Sequence, residues 1–125
     1  MKQIGLLLLL AMTLTSFQFR SKRKILLIAA DKNVASLLEQ QKILRADSQG
    51  IEERDLVIET HLSDNHNKDL FTKYNAQSTP FLFILIGKDG GEKLRSPQVV
   101  TTRQLFGLID QMPMRRGEME RRKKN

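Results

Sequence analysis

The chain has 125 residues, 28% of them charged, a formal net charge of +7 and no cysteine. That length bounds it at one domain, and the missing thiols exclude disulfides, thiolate zinc sites and cysteine nucleophiles. The charge is uneven: Arg20, Lys22, Arg23 and Lys24 form one basic cluster, the segment 114–125 carries six basic against two acidic residues, and the body 25–113 has ten basic against twelve acidic. Basic ends on a mildly acidic body suit anionic lipid, polyanionic glycan or nucleic acid, or serve only to solubilise the chain.

Met1-Lys2-Gln3 is a short positive leader to the apolar run Ile4–Leu14. A run of that length fits the core of a secretory signal and is short of the roughly 20 residues that span a bilayer. A signal peptide over residues 1–16 is therefore expected, with cleavage before Phe17 and export to the periplasm or the exterior. A leader left uncleaved as a membrane anchor is the alternative.

Ile25–Ala30 is an apolar run flanked by charge, which suits a strand buried on both faces. Asp31 and Asn33 are helix-capping types, and Val34, Leu37, Leu38, Gln41 and Leu44 then fall on one helical stripe. Asp47-Ser48-Gln49-Gly50 reads as the stop, with Gly50 in a left-handed conformation. Leu56–Leu62 reads as a second strand, and Leu70, Phe71 and Tyr74 mark one side of a short helix. Thr79-Pro80 opens a third strand, Phe81–Ile86, and Asp89-Gly90-Gly91 turns it into a short fourth, Glu92–Ser96, whose Lys93 and Arg95 guard an edge. Thr101 and Gln104 have capping-box spacing before the stripe Leu105, Leu108, Ile109 and Met112, and Pro113 ends or turns that helix. Beyond Gly117 the basic tail is expected to be frayed.

The order βαβαββα predicts an α/β fold. A right-handed first crossover makes strands one and two parallel neighbours, and the hairpin puts strand three beside strand one. The spatial order is then 2-1-3-4 in a mixed sheet with helices on both faces. This arrangement, with its proline before the penultimate strand, resembles a reduced thioredoxin-like core without the N-terminal strand and helix. The domain is bounded at 24–113, with 114–125 as a basic tail. Val34 and Leu37 stand near where the two thioredoxin cysteines would fall.

The segments GKDGGEKLRS (Gly87–Ser96) and LFGLIDQMPMRRGEM (Leu105–Met119) are similar to a secreted bacterial family of uncharacterised thioredoxin-like proteins. That family is related to the peroxiredoxin-like domain of equarin and the sushi-repeat extracellular matrix proteins. The resemblance implies a thioredoxin-like fold, export and no established enzymatic role, and it supplies no catalytic residues.

Thr79-Pro80 resembles the position of the thioredoxin cis-proline, so a cis bond is expected there. His61, Asp64, His66 and Asp69 include metal-ligand types, but their spacing matches no zinc motif, and no metal or cofactor is expected. Asp89-Gly90-Gly91 lacks the GxxxxGK[ST] pattern, so it reads as a hairpin and not as a phosphate loop. Met112 reads as core, whereas Met114 and Met119 could line a partner surface. The tail has no aromatic residue, which disfavours nucleic acid as a partner. The topology brings Asp31, His61, Thr79, Pro80 and Arg95 towards one end of the sheet. They form the candidate ligand-binding site, with the Arg95 guanidinium as anion anchor. The expected function is an exported, redox-inactive binding or adaptor module for an unknown protein or anionic ligand, with peripheral contact to anionic surfaces through the tail. The alternative is an enzyme using non-thiol groups such as Asp31, His61 and Arg95.

Overall fold

A computed structural model describes residues 21–63, 68–77 and 79–125. The leader expectation over residues 1–16 and the residues Asp64 and His66 lie outside them. The elements in chain order are β1 (Arg23–Ala29), α1 (Ala35–Ala46), α2 (Ser48–Glu53), β2 (Leu56–Leu62), α3 (Lys68–Lys73), β3 (Phe81–Ile86), β4 (Glu92–Ser96), α4 (Thr102–Asp110) and α5 (Pro113–Lys123). The sheet order is β2-β1-β3-β4, as the sequence predicts. β1 and β2 are parallel, and β3 is antiparallel to both β1 and β4, with an irregularity at Leu85/Ile86.

The apolar runs of β1 and β3 are long because both of their faces are covered. Ile25, Leu27, Ala29, Phe81, Phe83 and Leu85 pack with Leu37 and Leu44 of α1, Ile51 of α2 and Leu105 and Ile109 of α4. The alternate residues Leu26, Ile28, Leu82 and Ile84 form a smaller core with Phe71 of α3 and Ala76. A strand's side chains point alternately to opposite faces, so one run of six or seven residues serves both cores.

Three expectations change at helix ends. α1 stops at Ala46 and the chain restarts as α2 straight through Gly50. After α2 the left-handed conformation is taken by Asp55 (φ 52°), which leads into β2. Gly50 is needed for space: a Cβ there would lie 2.6 Å from the Phe106 ring. The buried stripe of α1 is rotated from the expected one, with Leu37, Gln40 and Leu44 inside and Leu38 50% exposed. The segment expected to fray forms α5, with Pro113 in its first turn, where a missing N–H costs nothing. The capping box of α4 forms as expected, the Thr101 hydroxyl accepting from Gln104 N and the Gln104 side chain from Thr101 N, both at 3.2 Å.

Candidate functional site

The candidate site lies where β1 and β2 end. The Ala30 N–H donates to the Pro80 carbonyl (2.9 Å), the Ser63 N–H to the Ala29 carbonyl (3.1 Å) and the Ser63 hydroxyl to the Ala30 carbonyl (2.6 Å). The Thr79 hydroxyl donates to the Phe81 carbonyl at 2.8 Å. These bonds tie three separate segments together beside a cavity of about 420 Å³, lined by Ala30, Ser63, Phe71, Ala76, Gln77 and Thr79 among others. Its walls combine apolar surface with three hydroxyl-bearing residues, Ser63, Thr72 and Thr79. Ser63 was not visible as a site residue in the sequence; its position just past a strand end is the one signal it carries.

The five expected site residues do not all converge. Thr79 borders the cavity and Pro80 joins Ala30. The Thr79–Pro80 bond is trans, against the cis expectation, because there is no cis peptide bond among the described residues. Trans is the ordinary state of X–Pro, and the Pro80 carbonyl is already satisfied by Ala30. Asp31 follows at the same end, exposed, its carboxylate accepting from the Asn33 N–H at 2.7 Å. His61 stands level with Ile28 and lies 3.3 Å from the Glu59 carboxylate. Arg95 stops short of this end. It pairs with Ile84, level with Leu26, and its guanidinium is turned to Glu92 (2.6 and 3.0 Å) and the Tyr74 carbonyl. Three of its five N–H donors are thus engaged within the fold.

A dense charge cluster lies at the other end of the sheet, around the hairpin, and no local pattern in the sequence marks it. Arg23 and Arg115 are each 1% exposed. Arg23 donates to the Arg54 carbonyl (2.8 Å) and grips both oxygens of Glu118 (3.3 and 3.2 Å). Lys88 bridges Glu118 (2.6 Å) and Asp55 (2.8 Å). Arg54 forks onto Asp110 (3.1 and 2.9 Å) and stacks 3.9 Å from the centre of the Phe106 ring. Arg115 reaches Asp110 (3.0 Å) and the Glu53 carbonyl (3.2 Å), to which Arg122 also donates at 3.0 Å.

The neighbouring cations set the acidity of this cluster. The bond from Lys88 holds the Asp55 carboxyl below its ordinary value. Burial raises the Asp110 and Glu118 carboxyls, but hydrogen bonds from Arg54 and Arg115, and from Lys88 and Arg23, outweigh it and leave both lowered. Among the described residues no buried side-chain polar atom is without a partner. A cleft of about 570 Å³ opens beside the cluster, lined by Ser21, Asp55, Lys88, Glu118, Arg121, Arg122 and Asn125. With its cations and carboxylates matched, the cluster works as a clamp that holds α5 on the domain. Among the described residues no three His, Asp or Glu side chains are grouped to hold a metal ion. No described helix is long and apolar enough to cross a membrane.

A mixed sheet in this order, with α1, α2 and α4 on one face and α3 on the other, is a thioredoxin-like fold. One similar solved structure is thioredoxin-2 of the malaria parasite, described as a component of that parasite's protein secretion machinery. It matches with a TM-score of 0.57 and 15% identity, over 73% of this chain and 84% of its own. The chain belongs to the DUF4174 family, a domain of unknown function, whose model matches residues 16–118. No curated protein matches in sequence.

Proposed function

We propose that this chain is an exported thioredoxin-like module that binds a partner and performs no redox turnover. The observation that carries this reading is the state of the first helical turn after β1. Its N-cap is Val34, which makes no side-chain cap bond, and Leu37 one turn on is 2% exposed within the core. A thioredoxin holds its thiols in that turn; here apolar side chains fill it, in a chain with no cysteine at all. Function resides in the site and not in the scaffold, so the fold alone supplies no redox chemistry. The cavity at Ser63 and Thr79 offers apolar wall and hydroxyl groups, which suit recognition of a polypeptide or small polar ligand.

Export rests on the apolar run Ile4–Leu14, and the kinship with equarin and the sushi-repeat proteins rests on segments 87–96 and 105–119. Peripheral contact with anionic surfaces would fall to Arg116, Arg121, Lys123 and Lys124, which are exposed on and beyond α5, since Arg115 is enclosed. The purified full chain is expected to reduce neither insulin nor peroxide in the presence of dithiothreitol, beyond a buffer control. Turnover that survives repurification would remove this reading.

A further inference from the structure

Among the described residues β2 is an outer strand, paired with β1 alone. The bond from the Ser63 N–H to the Ala29 carbonyl fixes which way its backbone faces. Successive residues turn their N–H and C=O groups to opposite sides, so those of Ile58 and Thr60 point away from β1. Four large apolar side chains are exposed among the described residues, and three of them gather here. Val57 and Ile58 are each 38% exposed on the strand itself. Leu38, 50% exposed, sits one turn before Gln41, whose amide reaches the Thr60 hydroxyl at 3.4 Å. Outer strands are commonly protected from further pairing by lysine or proline. The sequence of β2, LVIETHL, contains neither.

We propose that β2 is a homodimer interface, in which two copies of this chain pair β2 to β2, antiparallel, about a two-fold axis through Thr60. The side-chain pattern selects both the partner and the register. An axis at Thr60 sets Glu59 opposite His61 of the second copy, and His61 opposite Glu59 of the second copy. On the other face it sets Ile58 opposite Leu62 of the second copy, while the two Thr60 residues exchange backbone hydrogen bonds. An axis at Glu59 or His61 would oppose like groups, and one at Ile58 would set Val57 against Glu59. A two-fold interface must be self-complementary, and the stretch Ile58–Leu62 reads apolar, acidic, hydroxyl, imidazole, apolar about its own centre. The same joint covers Leu38 and Ile58 of both copies on the α1 face. The sheet of four strands then continues across the axis into that of the second copy.

Sedimentation equilibrium of the full chain over a wide concentration range is expected to show a monomer–dimer equilibrium. Glu59→Lys removes the carboxylate acceptor that faces each imidazole and sets an ammonium there instead, and it is expected to weaken dimerisation roughly tenfold. Thr60→Pro removes an outward-facing donor at the axis and is expected to abolish the dimer. The double variant E59H/H61E exchanges the two members of each pair and is expected to restore it. Circular dichroism checks that each variant is folded, and if Thr60→Pro is not, Glu59→Lys and the double variant decide the matter. A monomer at every concentration would overturn the assignment, as would association as strong as the parent's in the folded single variants. A double variant as weak as Glu59→Lys would overturn it too.

Discussion

Gln40 is fully buried in α1, and its amide meets both backbone groups of one residue. Its Nε2 donates to the Val100 carbonyl (2.9 Å), and its Oε1 accepts from the Val100 N–H (2.7 Å). The loop that enters α4 is thereby fastened to α1 across the core. Gln40→Ala would strand a buried donor and a buried acceptor, and is expected to cost about 3 kcal/mol in urea unfolding. A loss of only a few tenths would mean that water replaces the amide. The sequence pattern pointed elsewhere on this helix, to Leu38 and Gln41. Helical periodicity ranks stripes by apolar content, and the stripe that is buried here includes a glutamine whose purpose lies 60 residues away. The candidate site was legible to the same limited degree. Thr79 and Pro80 follow from strand order alone, whereas the fate of Arg95 depended on Glu92 and the Tyr74 carbonyl.

At the scale of elements, α5 departs furthest from its sequence. Its residues are mostly charged, which by composition suggests a solvated tail. Docking comes from Arg115, 1% exposed, and from Glu118, which closes on Arg23 and Lys88. Deleting 117–125 would remove Glu118 and leave those two cations enclosed without it. Removing one partner of a buried ion pair commonly costs about 3 kcal/mol or more, so the melting temperature is expected to fall by roughly 10 °C or more. An unchanged melting temperature would show that α5 rests on the domain without supporting it. The other elements were far more legible: β2, β3 and β4 have the boundaries read from the sequence. Their signals are local: apolar or β-branched runs closed by turn residues for β2 and β3, and the Asp89-Gly90-Gly91 turn for β4. α2 was missed because its six residues include a glycine, a poor helix former on its own, which Phe106 selects from outside the helix.

The whole molecule should respond to acid through its hairpin-end cluster. Asp55, Asp110 and Glu118 are all held below their ordinary values in the fold. A carboxylate depressed in the folded state contributes stability that is present above its unfolded pKa, about 4, and is lost as pH falls through the folded value. The melting temperature is therefore expected to hold between neutral pH and about 5 and to fall steeply towards pH 3, with α5 protection from hydrogen exchange lost first. Melting that is flat down to about pH 3 would contradict the clamp. What the sequence by itself determined was the order of the four strands with α1, α3 and α4 between and after them, the 2-1-3-4 sheet and the exclusion of thiol chemistry. Those rest on periodicity within short segments, on the handedness of a single crossover and on composition, all of which are local or additive. Only the tertiary structure decided that Gln40 is core, that Pro80 is trans, that Arg95 turns to Glu92 and the Tyr74 carbonyl, and that the basic tail is a docked helix. Each depends on pairings between distant residues, the Arg23–Glu118 pair spanning 95 positions, and no local pattern in the chain records which charge will meet which.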